Sequence, residues 1–211
     1  MNTKPRRLRE KEDIQRRILE AARELFAAEG FEAVTMRKIA DRVEYTPTAL
    51  YFHFKDKNAL FRRLCAEDFA AMTARFQVLS RVPDPVDRLR MLGRSYIAFA
   101  MEHPHQYRLI FMTLDAPLES GPGEAAVGLE RPDRGAYAHM RRVSAEAIAT
   151  GRLRPEFSDP DLVAQTIWAG VHGVAALAIS KQPEAWVGWR PIEERAGAMV
   201  DSLLRGLARE E

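Results

Sequence analysis

An all-α fold of about nine helices is what this 211-residue sequence predicts, and three observations predict it. Apolar residues recur at helical spacing along almost the whole chain. β-branched residues are few and seldom alternate with polar ones, so strand signals are scarce. Capping residues, prolines and glycines punctuate the pattern at intervals of one helix. No internal repeat or long low-complexity tract interrupts it. With 46% hydrophobic residues the chain can bury a sizeable core in one or two domains.

The elements follow in order. A first helix is expected from about Asp13 to Glu29, with Ile14, Ile18, Ala21, Ala22, Leu25 and Phe26 on one face. Asp13 would cap its start and Gly30 would end it in the left-handed conformation. Thr35 is the expected cap of a short second helix, Met36 to Val43, with Met36, Ile39, Ala40 and Val43 facing inward. Thr46-Pro47 reads as cap and first residue of a third helix through about Phe54, because proline at that position sacrifices no helical hydrogen bond. Asp56 is placed to cap a long fourth helix, Lys57 to about Ser80. Pro83 and Pro85 then mark the clearest break. Further helices are expected at about 85–102, 104–114, 131–150, 160–181 and 191–209, with a Gly- and Pro-rich loop from Asp115 to Glu130.

Composition and charge narrow the function. Charged residues make up 29% of the chain, too evenly mixed for a disordered tail protein. No uninterrupted apolar run approaches the roughly 18 residues of a membrane span, so no membrane partner is expected. The basic start is not followed by an apolar segment, so it does not read as a signal peptide. One cysteine, Cys65, excludes an internal disulfide framework and suits a reducing cytoplasm. Residues 1–63 hold 15 Lys/Arg against 10 Asp/Glu, while the remainder holds 17 against 20. A basic front on a mildly acidic body suits a nucleic-acid partner or, equally, a solvated charged face.

The segment TPTALYFHF from Thr46 to Phe54 decides between these readings. With the helix before it, it has the form of a helix-turn-helix, whose second helix enters the major groove of double-stranded DNA. That groove is about 12 Å wide and admits one helix with its side chains. Leu50 and Phe54, four apart, would face the core. Thr46, Thr48, Ala49, Tyr51 and His53 remain for DNA, with Arg37, Lys38, Lys55 and Lys57 adding positive charge. A packing role for Tyr51 against the first helix, or a capping or partly buried role for His53, stays open at this point. The arm Lys4-Pro5-Arg6-Arg7 with Arg9 reads either as a minor-groove arm or as a solubilising tail.

The run Thr35-Met36-Arg37-Lys38-Ile39-Ala40, followed by TPTALYFHFKDKNALF, resembles the signature of the TetR (tetracycline-repressor-like) family over about residues 13–61. The resemblance implies a phosphate contact for Tyr51, a backbone contact for His53 and a phosphate clamp for Lys57. It also implies base-edge contacts for Thr46, Thr48 and Ala49, although glycine is frequent in the family where Ala49 stands. Residues 1–56 would then form the DNA-binding domain. Residues 57–211 would form an effector-binding and dimerisation domain, with helix 57–80 connecting the two.

In that second part Trp168-Ala-Gly-Val-His172-Gly173 resembles a Trp-x-x-x-His-Gly signature of one TetR subgroup. Trp168 and His172, four apart, share a helix face. With Tyr96, Phe99, Tyr107 and Phe111 they are candidates to line a mostly apolar effector pocket, or simply core aromatics. Ala164, Ala169, Gly173, Ala176, Ala196, Gly197, Leu203, Leu204 and Leu207 give the last two helices a small-residue face suited to a four-helix homodimer contact, or to packing within one chain. His103 and His105 flank a proline with no carboxylate or cysteine to complete a metal set, and Cys65 reads as core. No nucleophile or acid–base pair is placed by spacing, and no cofactor is implied. The expectation is a ligand-released, homodimeric repressor binding a DNA operator and a small-molecule effector. An activator, a regulator without ligand, and a helical small-molecule-binding protein or enzyme with a degenerate helix-turn-helix are the alternatives.

Overall fold

Local caps set several of the helix boundaries in the computed structural model, which describes residues 6–112, 135–180 and 187–209. The helices are α1 (Arg6–Glu29), α2 (Met36–Arg42), α3 (Pro47–Tyr51), α4 (Lys57–Val78), α5 (Pro85–Glu102), α6 (Pro104–Phe111), α7 (Gly135–Ala149), α8 (Pro160–Ser180) and α9 (Ile192–Leu207). A 3-10 turn, Leu79–Arg81, ends α4. Among the described residues no strand forms beyond one antiparallel bridge, Leu153 to Ala208. The expected loop from Asp115 to Glu130 lies outside the described residues.

The caps at α2, α3 and α4 are the expected ones, and α5 has one that was not expected, Asp84. Thr35 accepts from the Lys38 N–H and Thr46 from the Ala49 N–H, both at 3.2 Å. Asp56 accepts from Ala59 N–H at 2.6 Å, and Asp84 from Val86 and Asp87 at 2.8 Å each. Each satisfies a helical donor that has no partner inside its own helix. Gly30 ends α1 at φ +82°, a left-handed conformation that a Cβ would strain.

The first helix departs from expectation. It starts at Arg6 rather than Asp13, so Asp13 is an interior residue paired to Arg16 and caps nothing. The added turns are solvated and held by pairs such as Arg6 to Glu10, with no apolar periodicity to betray them. Arg6, Arg7 and Arg9 are therefore helical. A helix about 10 Å across cannot enter a minor groove about 6 Å wide, so the minor-groove reading is withdrawn for these three. Lys4 and Pro5 lie outside the described residues.

The described residues divide into two compact units. One comprises 6–68 and 105–112; the other comprises 69–104, 135–180 and 187–209. α4 is common to both, its residues to Asp68 in the first and from Phe69 in the second.

The first unit is organised on an aromatic cluster. Phe26, Phe31 and Phe61 stack with centroids 4.8 to 5.7 Å apart, mostly edge to face. Ile18, Ile39, Leu50, Leu60 and Leu64 are fully buried around it. Leu50 is what fastens α3, because the rest of that short helix points outward.

In the second unit α8 packs against α5, α7 and α9. Close approach is enforced at Gly93 of α5, where a Cβ would stand 3.0 Å from Val200 and 3.3 Å from Val171. Arg88, buried, donates to both Glu146 carboxylate oxygens and to the Val82 and Pro83 carbonyls, joining the start of α5 to α7. α8 is long and apolar enough to span a membrane by length and composition alone. Packing by three neighbouring helices explains that apolarity as core. The small-residue face read along the last two helices is really two faces. Ala164, Ala196, Leu204 and Leu207 are buried within the chain. Ala169 is exposed, and Gly173, Ala176, Gly197 and Leu203 are partly so.

Candidate nucleic-acid interface and effector region

α3 presents its candidates to solvent because two residues hold it from one side. Leu50 and Phe54 are buried; α3 ends at Tyr51, three residues short of the expected end, and one further bond from the Phe54 N–H to the Leu50 carbonyl at 2.9 Å continues the turn to Phe54. At 100° per residue, Thr48 and Phe52 then lie diametrically away from the core. Thr46, Thr48 and Tyr51 are exposed, and Ala49 is half-buried. Tyr51 is 53% exposed, which removes the reading in which it packs on α1.

His53 is half-buried, with Nδ1 enclosed and without a hydrogen-bond partner. Burial pushes its pKa below the usual 6.5, and the Lys11 ammonium pushes it further down. It is a neutral imidazole at pH 7, able to donate one N–H.

Ion pairing sorts the cations of this unit. Lys38 is committed to Glu29 and to the Ala33 carbonyl, Arg42 to Glu24, and Arg63 to Glu67. Arg37 and Lys55 are exposed and form no ion pair among the described residues. Lys57 is not the free clamp the resemblance implies. Its ammonium donates to the Phe31 carbonyl at 2.8 Å and sits 4.1 Å from the Phe31 ring centroid. It anchors the first turn of α4 to the chain after α1, and only its remaining N–H groups can reach a phosphate.

Phe52 is the residue that sequence reasoning passes over. It is 82% exposed, at the C-terminal end of α3. An aromatic inside a motif reads as core; only its angle on the helix wheel, 200° from Leu50, could have flagged it.

The six effector candidates are divided between the two units. Tyr96, Phe99, Trp168 and His172 belong to the second unit, and Tyr107 and Phe111 to the first. Trp168 Nε1 donates to the Tyr96 hydroxyl at 3.2 Å, and that hydroxyl lies 3.1 Å from His172 Nδ1. Burial lowers the His172 pKa, so the ring is neutral at pH 7 and Nδ1 can accept the Tyr96 proton. The Tyr137 ring sits 6.0 Å from Trp168, with its hydroxyl donating to Asp161 at 2.8 Å. Tyr137 extends the aromatic wall and was not anticipated, being more than twenty residues from any other member. Phe99 is buried with its ring 5.0 Å from His103. Tyr107 is fully buried and its ring is 5.0 Å from Phe111. A separate groove of about 490 Å³ runs between α5 and α9, past Ile97, Met101, Ile192 and Gly197, and none of the six lines it.

Known proteins share both regions. Residues 18–64 match the family described as bacterial regulatory proteins, tetR family, and residues 89–203 match the tetracyclin repressor-like C-terminal domain. The HTH-type transcriptional repressor Rv1474c of Mycobacterium tuberculosis is 38% identical over 60 residues, 28% of this chain and 32% of that protein. The match thus spans about a third of that relative. The HTH-type transcriptional repressor KstR2 of Mycolicibacterium smegmatis is 28% identical over 160 residues, 74% of this chain and 76% of that one. The structure of ketosteroid transcriptional regulator KstR2 of Mycobacterium tuberculosis superposes with a TM-score of 0.69 at 22% identity, covering 93% of this chain and 95% of that one. An exposed candidate helix on a buried aromatic base, a second helical unit, and matches to both family regions that together span most of the chain lead to one conclusion: the chain belongs to the TetR family of bacterial regulatory proteins.

Proposed function

We propose that the protein is a homodimeric transcriptional repressor that binds operator DNA through residues 46–55 and is released by a small, largely apolar effector. The observation that carries the reading is the outward face of α3: Thr48, Tyr51 and Phe52 exposed, Thr46 exposed at the cap, and beside them Arg37 and Lys55, which form no ion pair among the described residues. Residues 1–56 serve DNA binding and 57–211 serve effector binding and dimerisation, with α4 linking them. Thr46, Thr48 and Ala49 meet base edges; Arg37, Tyr51, His53 and Lys57 meet the sugar–phosphate backbone.

Dimerisation is supported by α8. Leu162 and Leu177 are 51% and 46% exposed. At 100° per residue they share one stripe with Ala169, Gly173 and Ala176. Two such stripes pack closely about a two-fold axis, presenting two α3 segments to one side of the duplex. The effector region is the Tyr96, Trp168 and His172 cluster, with Phe99, Tyr107 and Phe111 as further aromatics. KstR2 is a ketosteroid transcriptional regulator, in keeping with an apolar effector here. The effector acts through its differential affinity for DNA-competent and released forms, transmitted along α4.

Selection of duplexes from a random pool by the purified protein tests the first claim: a two-fold symmetric sequence is expected, and no enrichment overturns it. Sedimentation of the wild type and Leu177→Arg tests the dimer. Release of the selected duplex by apolar compounds, weakened in Tyr96→Phe and His172→Ala, tests the effector region.

A further inference from the structure

We propose that Phe52 is a specificity-determining residue whose ring contacts the C5-methyl group of a thymine in the operator major groove; the inference rests on the DNA-binding reading above.

Phe52 is 82% exposed, more than any other large apolar residue described. Its backbone is still helical, at φ −69° and ψ −23°, and the Phe54 N–H to Leu50 carbonyl bond spans it. Its direction is therefore that of a helical residue, opposite the buried Leu50 and one turn beyond Thr48. Thr48 shares this face, and Lys55, just past the helical segment, is exposed as well, so the ring belongs to a surface that also carries polar and cationic groups.

Chemistry then limits what the ring can touch. A phenyl group offers no donor or acceptor to a phosphate or to the hydrogen-bonding edge of a base. Its gain on docking comes from removing apolar surface from water. In the major groove the apolar feature of a base edge is the thymine C5-methyl, and phenylalanine is among the side chains suited to it. Hydroxyls at Thr46 and Thr48 can read donors and acceptors at neighbouring bases, whereas Phe52 reads the presence of a methyl. Tyr51, one residue earlier and 100° around the helix, keeps a hydroxyl for the backbone. The two adjacent aromatics thus divide the work between positioning and reading.

The test uses full-length protein and a duplex selected by the wild type from a random-sequence pool. Each thymine is replaced singly by deoxyuridine, which deletes the methyl and keeps the Watson–Crick edge. One position per half-site is expected to weaken wild-type binding about fourfold, the ratio corresponding to about 0.8 kcal/mol of buried methylene-sized surface. Phe52→Ala is expected to bind the thymine and uracil duplexes alike at that position, and Phe52→Leu to keep part of the discrimination. Phe52 is exposed, so unchanged thermal melting of both variants is expected and separates contact from folding. Three results overturn the proposal. They are no thymine whose methyl matters, discrimination that survives Phe52→Ala, or equal weakening of both duplexes by Phe52→Ala, which would mean packing on deoxyribose. Failure to select any sequence overturns the DNA-binding reading itself, and is distinguished from these because the dU scan then has no starting duplex.

Discussion

The two functional regions use polar groups in opposite ways. Along residues 46–55, hydroxyls, a cation and two aromatic rings face water, and Arg37 and Lys55 forgo the carboxylates that engage Lys38 and Arg42. In the second unit the polar groups are turned inward and occupy one another: Trp168 with Tyr96, Tyr96 with His172, Arg88 with Glu146. A group held by its neighbours is costly to remove and contributes to stability. A group without neighbours adds little to the fold and is available to a second molecule. The difference predicts which substitutions harm folding and which harm binding.

The largest effect is expected at Arg88. Arg88→Ala strips four hydrogen bonds from a buried guanidinium and leaves two carbonyls and the Glu146 carboxylate without it. A loss of about 3 kcal/mol is expected, at the low end for breaking a buried pair because Glu146 is partly solvated. Urea unfolding measures it, and DNA affinity of the folded fraction should not change. Tyr96→Phe is next. It removes one hydroxyl that serves both Trp168 and His172, and about 1–2 kcal/mol of stability should go with it. A variant as stable as the wild type would break the comparison.

The recognition region supplies the converse. Lys55→Ala should leave the melting temperature unchanged and reduce the salt dependence of operator binding by about 0.9 per lost phosphate contact, hence about 1.8 for a two-fold dimer. Lys57 sharpens the contrast because it belongs to both classes. With one N–H on the Phe31 carbonyl and its charge over the Phe31 ring, Lys57→Ala should cost about 1 kcal/mol of stability as well as salt dependence. Fluorescence polarisation across a salt series, paired with thermal melting, separates the two lysines.

The same contrast explains what the sequence made legible. α2 to α4 were readable because Thr35, Thr46 and Asp56 cap donors three residues from themselves, and α5 because Pro83 and Pro85 mark its start. The outward face of the proposed recognition segment was readable for the same reason, since the expected burial of Leu50 and Phe54, four residues apart, is what the fold shows. The start of α1 was missed because seven residues of solvated helix carry no apolar period. In the second unit the partners are far apart in sequence. Tyr96 meets residues more than seventy positions away, and an aromatic at helical spacing looks the same whether it lines a cavity or fills a core. Lys57 shows the residual difficulty at the well-read end: the family resemblance singles the residue out, while its tether to Phe31 lies in the tertiary fold.

The smallest expected effect is a pH dependence, and its sign follows from burial. His139 of α7 is buried, with Nε2 unpartnered and its ring facing Phe76. Loss of hydration, then the positive charges of Arg142 and Arg88, lower its pKa from the usual 6.5. Above pH 6.5 the ring is neutral in both folded and unfolded chains and contributes no pH dependence. As pH falls below 6.5 the unfolded chain takes up a proton that the folded chain refuses, so stability declines until the lowered folded value is reached. His172 and His53 are lowered as well and add to the same limb. Melting temperatures at pH 7.5 and pH 5.5 should therefore differ, and His139→Met should narrow the gap without closing it. Because the imidazole here gives nothing back for its burial at Nε2, the methionine variant should also be at least as stable as the wild type at pH 5.5. A wild-type gap undiminished in His139→Met would mean that the acid sensitivity belongs to His172 and His53, one in each unit, rather than to the α7 core.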